Sequence, residues 1–132
     1  MKKHSNRLAV VARVLLGALL VFAGGMYFAM TLGIVAPMPP MEGPAGALLG
    51  ALVTSGYLMT VVKVLEVVFG LLLLFNQWTK LVLVLLAPLS VNFVLFHVFL
   101  LPAGGALAYV AFLLNVYLLY VNKDAYEALL ER

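Results

Sequence analysis

The sequence of 132 residues predicts an all-α fold, an integral membrane four-helix bundle, and three observations carry that expectation. Hydrophobic residues make up 66% of the chain and charged residues 10%, and the mean hydropathy is +1.18, well away from a soluble globular composition. Apolar runs recur at about the length of a helix that crosses a ~30 Å hydrocarbon core. The Lys and Arg residues gather at the ends of those runs, except for Arg13 and Lys63, which lie inside them.

The first run covers about residues 8–32 and follows Lys2, Lys3 and Arg7. It is longer than the ~7–15 apolar residues of a signal-peptide core and further runs come after it, so a retained helix is expected. Residues 33–44 contain Pro37, Pro39, Pro40 and Pro44 and are expected to form a loop, because proline removes a backbone donor and fixes φ. Ala45 to Thr54 is apolar but too short to span, and Thr54-Ser55-Gly56 offers a break after it. Two arrangements stay open there: a short interfacial or re-entrant helix, or a continuous extension of the second span as one long tilted helix. That second span runs over about residues 57–75. Asn76 to Lys80 is a polar turn, with Trp78 suited to a membrane interface. The third span covers about 81–101, Pro102 to Gly105 turns the chain, and the fourth covers about 105–121, with Tyr117 and Tyr120 near its end. Residues 122–132 read as a short polar surface helix. All of this is a single transmembrane domain, with no room for a soluble catalytic domain beside it.

Charge placement gives an orientation. Lys2, Lys3, Arg7 and Arg13 precede or open the first span, Lys80 sits between the second and third, and Lys123 and Arg132 follow the fourth, while the other two connections hold no Lys or Arg. The positive-inside rule then places both termini and the Lys80 turn in the cytoplasm. The basic residues form no stripe interleaved with surface aromatics, so nucleic acid is not an expected partner. The absence of cysteine excludes a dithiol redox centre, a disulfide and thiolate metal sites. One intramembrane His and one Glu fall short of a metal ligand set, so no metal is expected; His4 is a terminal residue with no evident partner.

Lys63 and Glu66 stand one helical turn apart within an apolar stretch. An ionisable residue in hydrocarbon is usually paired, faces protein and marks a site. At ~1.5 Å rise per residue, counted from the outer span ends, Lys63 lies ~9 Å deep, Glu66 ~13 Å, His97 ~6 Å, and Asn92 and Asn115 ~14 Å. These residues share the outer half to the middle of the bilayer. On the second span Met59, Lys63, Glu66, Gly70 and Leu73 make one stripe; on the first, Arg13, Gly17, Gly24 and Tyr27 make another, on which glycine lets a neighbouring backbone approach. Asn92 lies four residues after Pro88 and is expected to point inward at a proline kink. His97 is ~140° from Asn92 on an ideal helix, which weakens a site built on that helix alone. The candidate polar site is thus Lys63, Glu66, Asn92 and His97, with Arg13, Asn115 and Tyr57 as further members. Arg13 has two open roles, a stem that snorkels to lipid phosphate or a rival partner for Glu66. Each of the others also has a plain structural role open to it: an interhelical lock for the pair, a backbone hydrogen bond for His97, and inter-helix glue for the two asparagines.

The order Arg13-Val-Leu-Leu-Gly17 with Gly24, Ser55-Gly-Tyr57, Lys63-Val-Leu-Glu66 with Gly70, Ala87-Pro88 before Val91-Asn92, and Phe96-His97 before Leu101-Pro102 resembles the DoxX family. The resemblance covers nearly the whole chain. It implies a small four-helix protein of the bacterial cytoplasmic (inner) membrane. It implies little about activity, since some relatives look like the membrane subunit of a thiosulfate:quinone oxidoreductase and others associate with methylamine-utilisation or oxidative-stress machinery. Relatives with a redox-active cysteine pair offer no mechanism that this cysteine-free chain can share.

Two functional classes therefore stay open besides a third, weaker one. The first is a membrane subunit that binds a quinone or another small apolar molecule and supports membrane redox chemistry, at most as an accessory subunit of an oxidoreductase. In it Lys63 or His97 donates a hydrogen bond to a carbonyl and Glu66 relays a proton. The second is a non-catalytic scaffold or assembly partner that docks another membrane or redox protein. A small-solute or proton transporter is disfavoured by the lack of an inverted repeat of broken helices. The lipid bilayer is a partner in every case, and a homo-oligomer is open.

Overall fold

The computed structural model describes residues 2–131. Among the described residues every regular element is a helix: α1 (Lys2–Thr31), α2 (Gly43–Thr54), α3 (Leu58–Leu74), α4 (Thr79–Leu100), a 3-10 turn (Pro102–Gly104), α5 (Ala106–Val121) and α6 (Lys123–Leu130). The side chains of Lys2, Lys3, His4, Ser5, Asn6 and Ala103, together with Met1 and Arg132, lie outside what is described. Two helices are each long and apolar enough to cross a membrane, Arg7–Thr31 of α1 and Thr79–Leu100. The number rises to four if the bent pairs α2–α3 and α5–α6 each count as one span.

Each helix ends where its local sequence requires. At the end of α1, Gly33 takes φ +79°, and Ile34 N–H bonds Ala29 O at 2.9 Å while Gly33 N–H bonds Met30 O at 3.2 Å. This is the paired closure that satisfies carbonyls at a helix C-terminus, and it depends on a residue that accepts positive φ. The end of α3 repeats it with Asn76 at φ 55°, Gln77 N–H on Leu72 O at 2.8 Å and Asn76 N–H on Leu73 O at 3.2 Å. Pro44 lies in the first turn of α2 rather than closing the preceding loop. A first-turn N–H has no intrahelical acceptor, so proline there loses nothing.

Between α2 and α3 the axis turns by 90°. Gly56 at φ +89° reverses the backbone, and Ser55 Oγ donates to Leu52 O at 2.6 Å while accepting Leu58 N–H at 3.1 Å. One side chain thus closes α2 and opens α3. Of the two arrangements open from the sequence, the continuous tilted helix is the one the structure contradicts.

Packing is led by α1 lying along α3 and α4 along α5, with α1 also meeting α5; α2 lies against α3 and α4. The core is formed by Leu16, Leu20, Phe69, Leu73, Val82, Leu83, Leu86, Ala111 and Leu118. Outside it, large apolar side chains stay exposed on the helices, among them Leu15, Phe22, Val64, Leu85, Leu95 and Leu113. An apolar exterior around an apolar core suits lipid as the surrounding solvent. α6 turns 75° from α5 and is tied to the first turn of α4, where the Tyr126 hydroxyl donates to Lys80 O at 2.7 Å.

Candidate functional site

α1 and α3 meet so closely that backbone touches backbone. An added Cβ at Gly17 would fall 2.8 Å from Gly70 O, one at Gly70 2.7 Å from Gly17 O, and one at Gly24 2.8 Å from Lys63 O and 3.2 Å from the Glu66 Cβ. The glycines therefore bring α1 against the turn of α3 that carries Lys63 and Glu66, and that contact is what buries the carboxylate. The Glu66 side chain is 3% exposed and that of Lys63 22%. The ammonium lies 3.1 Å from Glu66 Oε2 and 3.5 Å from Oε1. The shorter contact is an ion pair without hydrogen-bond alignment, so Oε2 receives no hydrogen bond from the described residues. A buried carboxylate held by one cation at the edge of good geometry is incompletely compensated.

Arg13 is not a second partner for Glu66. Its guanidinium donates to Leu73 O and to Leu74 O at 3.3 Å. These carbonyls end α3, where the helix dipole favours a cation; Leu73 O also accepts Asn76 N–H, while Leu74 O receives no backbone donor among the described residues. Arg13 thus joins the start of α1 to the end of α3. Arg13→Ala is expected to cost about 1–2 kcal/mol of stability, since Leu73 O keeps Asn76 N–H and only Leu74 O is left without a donor, and to speed amide exchange in the last turn of α3. Arg13→Lys should recover only part, because a single guanidinium nitrogen makes both contacts and the lysine stem reaches less far. Unchanged exchange in Arg13→Ala would dismiss the cap.

The remaining candidates separate from the pair. Asn115, 1% exposed, is bonded between helices: its Oδ1 lies 2.8 Å from the Ser90 hydroxyl and its Nδ2 donates to Leu83 O at 3.2 Å. The same hydroxyl lies 3.0 Å from Ala87 O, so its single hydrogen is shared between two acceptors. Asn115 and Ser90 lock α5 to α4 just beside Pro88. Ser90 is the member the sequence reading missed; its position four residues after Leu86 and seven after Leu83, on the buried face of α4, is the signal that would have found it.

Asn92 does not point inward. It is exposed, and Nδ2 donates to Pro88 O of its own helix at 2.9 Å. Ser90 holds the inward direction, and a residue two positions later points almost the opposite way. His97, in the last turn of α4, has Nδ1 2.9 Å from Phe93 O; a carbonyl only accepts, so the proton is on Nδ1. Its ring stands edge-on to Phe96 at 5.1 Å. Tyr57 is 60% exposed at the start of α3. No hydrogen bond or ion pair among the described residues links Asn92, His97 or Tyr57 to the Lys63–Glu66 pair. A shallow depression at the α3–α4 turn, lined by Asn76, Trp78, Thr79, Lys80 and Leu81, includes none of the candidates. Among the described residues, no three or more of His, Asp and Glu are grouped to hold a metal ion.

No family model, no curated protein and no solved structure matches the chain.

Proposed function

We propose that the chain is a DoxX-like, four-span protein of the bacterial cytoplasmic membrane, with both termini cytoplasmic, that serves as a non-catalytic scaffold or assembly partner for another membrane or redox protein. The observation that carries the role is how the polar side chains within the helices are used. Arg13 caps α3, Asn115 and Ser90 join α4 to α5, and His97 bonds its own backbone. Such bonds hold helices in one arrangement rather than present reactive groups to a substrate. The orientation is supported by charge: Arg13 at the α3 terminus and Tyr126 on Lys80 O gather the start of α1, the α3–α4 turn and α6 at one end. Arg7, Arg13, Lys80 and Lys123 all lie at that end, and the α1–α2 loop and the 3-10 turn hold no Lys or Arg. The docking surface assigned to this role is the α1–α2 loop, in which Ile34, Met38 and Met41 are exposed.

A photo-crosslinking residue at Met38 or Met41 in membranes of the source cell tests the role. One specific adduct that disappears when the loop residues flanking the retained probe are replaced by Gly and Ser is the expected result; no adduct at either position would remove the scaffold.

The unbonded Glu66 Oε2 is an acceptor and supports a second reading, a quinone in its quinol form or another small apolar molecule, whose hydroxyl donates to that oxygen beside Lys63. Extraction of the protein purified in mild detergent distinguishes the two. A stoichiometric quinone, lost in a folded Glu66→Gln variant, would move the assignment to that reading.

A further inference from the structure

We propose that the outer face of α4 is a self-association surface, on which two copies of this chain pair in the membrane through Asn92. The inference rests on the membrane placement above but not on the scaffold role.

Asn92 is exposed on a helix long and apolar enough to cross a membrane, ~12 Å from the C-terminal end of α4 at the helical rise. An amide carries two N–H donors and a carbonyl acceptor. One N–H is bonded to Pro88 O, so the other N–H and Oδ1 have no partner among the described residues. On the same face Pro88 has no N–H to offer Val84 O, which leaves a further acceptor short of its intrahelical donor. Lipid chains satisfy neither, and unsatisfied polar groups are costly there.

The chemistry of the amide selects the partner. Two copies in one membrane have the same orientation, so a two-fold axis relating them runs along the membrane normal. Each residue on that axis then meets itself at equal depth. An amide facing its own copy is self-complementary, with each free N–H directed to the other Oδ1. The surrounding spacing fits such a seam. Leu81, Leu85, Pro88, Asn92, Leu95 and Phe99 follow one another at steps of four and three, and all are exposed. That step pattern keeps one helix stripe against a like helix, and a lone Asn within it fixes register and oligomer state. The apolar members alone would not suffice, because hydrocarbon is as apolar as leucine; the asparagine is what favours the pair over lipid.

The chain contains no cysteine, so single cysteines report contacts directly. In membranes of expressing cells, Leu85→Cys and Leu95→Cys are expected to give disulfide-linked dimers on mild oxidation. Phe22→Cys on α1 and Leu113→Cys on α5, at sites 59% and 64% exposed, are expected to stay monomeric. Adding Asn92→Leu should raise the dimer dissociation constant in bicelles roughly 10- to 100-fold, the range for two interhelical hydrogen bonds. Asn92→Gln should restore part of the affinity, and unchanged helix content and melting would show that Asn92→Leu still folds. A membrane-embedded monomer overturns this proposal alone, as does crosslinking at Phe22→Cys or Leu113→Cys equal to that at the α4 sites. A dimer indifferent to Asn92→Leu overturns it too, and recovery of the chain in the soluble fraction overturns the membrane placement with it.

Discussion

Gly70→Leu is expected to drive α1 and α3 apart and expose Glu66, and even Gly70→Ala should lower stability by about 1–3 kcal/mol. The new Cβ would lie 2.7 Å from Gly17 O, 2.7 Å from Val21 Cγ2 and 2.9 Å from Val21 N. Two of these are backbone atoms of a helix and cannot swing aside. Alanine also favours the helix over glycine by roughly 0.5–1 kcal/mol, since glycine loses more freedom on folding. At Gly70 the clash is the larger effect. The two effects part cleanly at two adjacent residues of α1. A Cβ at Gly24 would fall 2.7 Å from Val67 Cγ2 and 2.8 Å from Lys63 O, whereas one at Gly25 meets nothing within 4 Å. Gly24→Ala should therefore destabilise and Gly25→Ala should not, the latter gaining up to the propensity difference. Reversible unfolding in mixed micelles, followed by helix content, measures all three. Equal effects at Gly24 and Gly25 would mean that the close α1–α3 approach does not exist in the membrane. Gly17→Ala and Gly70→Ala combined should cost less than their sum, because the helix separation that accommodates one new Cβ also accommodates the other.

The glycine stripe was legible because Gly17 and Gly24 are a heptad apart, and that spacing projects onto one helix face whatever the helix packs against. The azimuth of α4 was not. That helix is apolar all round, so no polar face sets its phase, and Ser90 and Asn92, two residues apart, competed for the single inward direction. Serine took it and asparagine was left outside. For Arg13 the sequence leaves lipid phosphate and Glu66 open as acceptors, and its partners are neither. Its partners are carbonyls at the end of α3, and backbone acceptors carry no signature in a side-chain pattern. The break at Gly56 was readable from Thr54-Ser55-Gly56, while the angle across it was not. It depends on a positive φ at Gly56 and on the double bonding of Ser55, which local composition permits without requiring.

Lys63→Met is expected to be the most damaging single change at the pair, costing about 3–5 kcal/mol, because it leaves a buried carboxylate with no cation. Glu66 is held on one side by the α1 glycines and is nearly sealed from its surroundings. Lys63 is its ion-pair partner, and no described donor serves Oε2. The reverse removal is milder. In Glu66→Gln the lysine, already 22% exposed, keeps a flexible stem that carries its ammonium toward a wetter place. Removing both charges as Lys63→Met with Glu66→Met should restore stability to near the starting value or above it, since apolar groups of similar volume replace buried ion pairs at little cost. The expected order of stability is therefore the double variant first, Glu66→Gln next and Lys63→Met last, measured in one unfolding titration. A double variant as unstable as Lys63→Met would show that the pair stabilises the α1–α3 contact by more than charge compensation. Recovery of stability in the double variant has a functional consequence as well. Charges that folding does not need, kept where α1 and α3 touch, require another reason to be there. The folded double variant is then the protein in which to ask whether a bound quinone or a docked partner is lost.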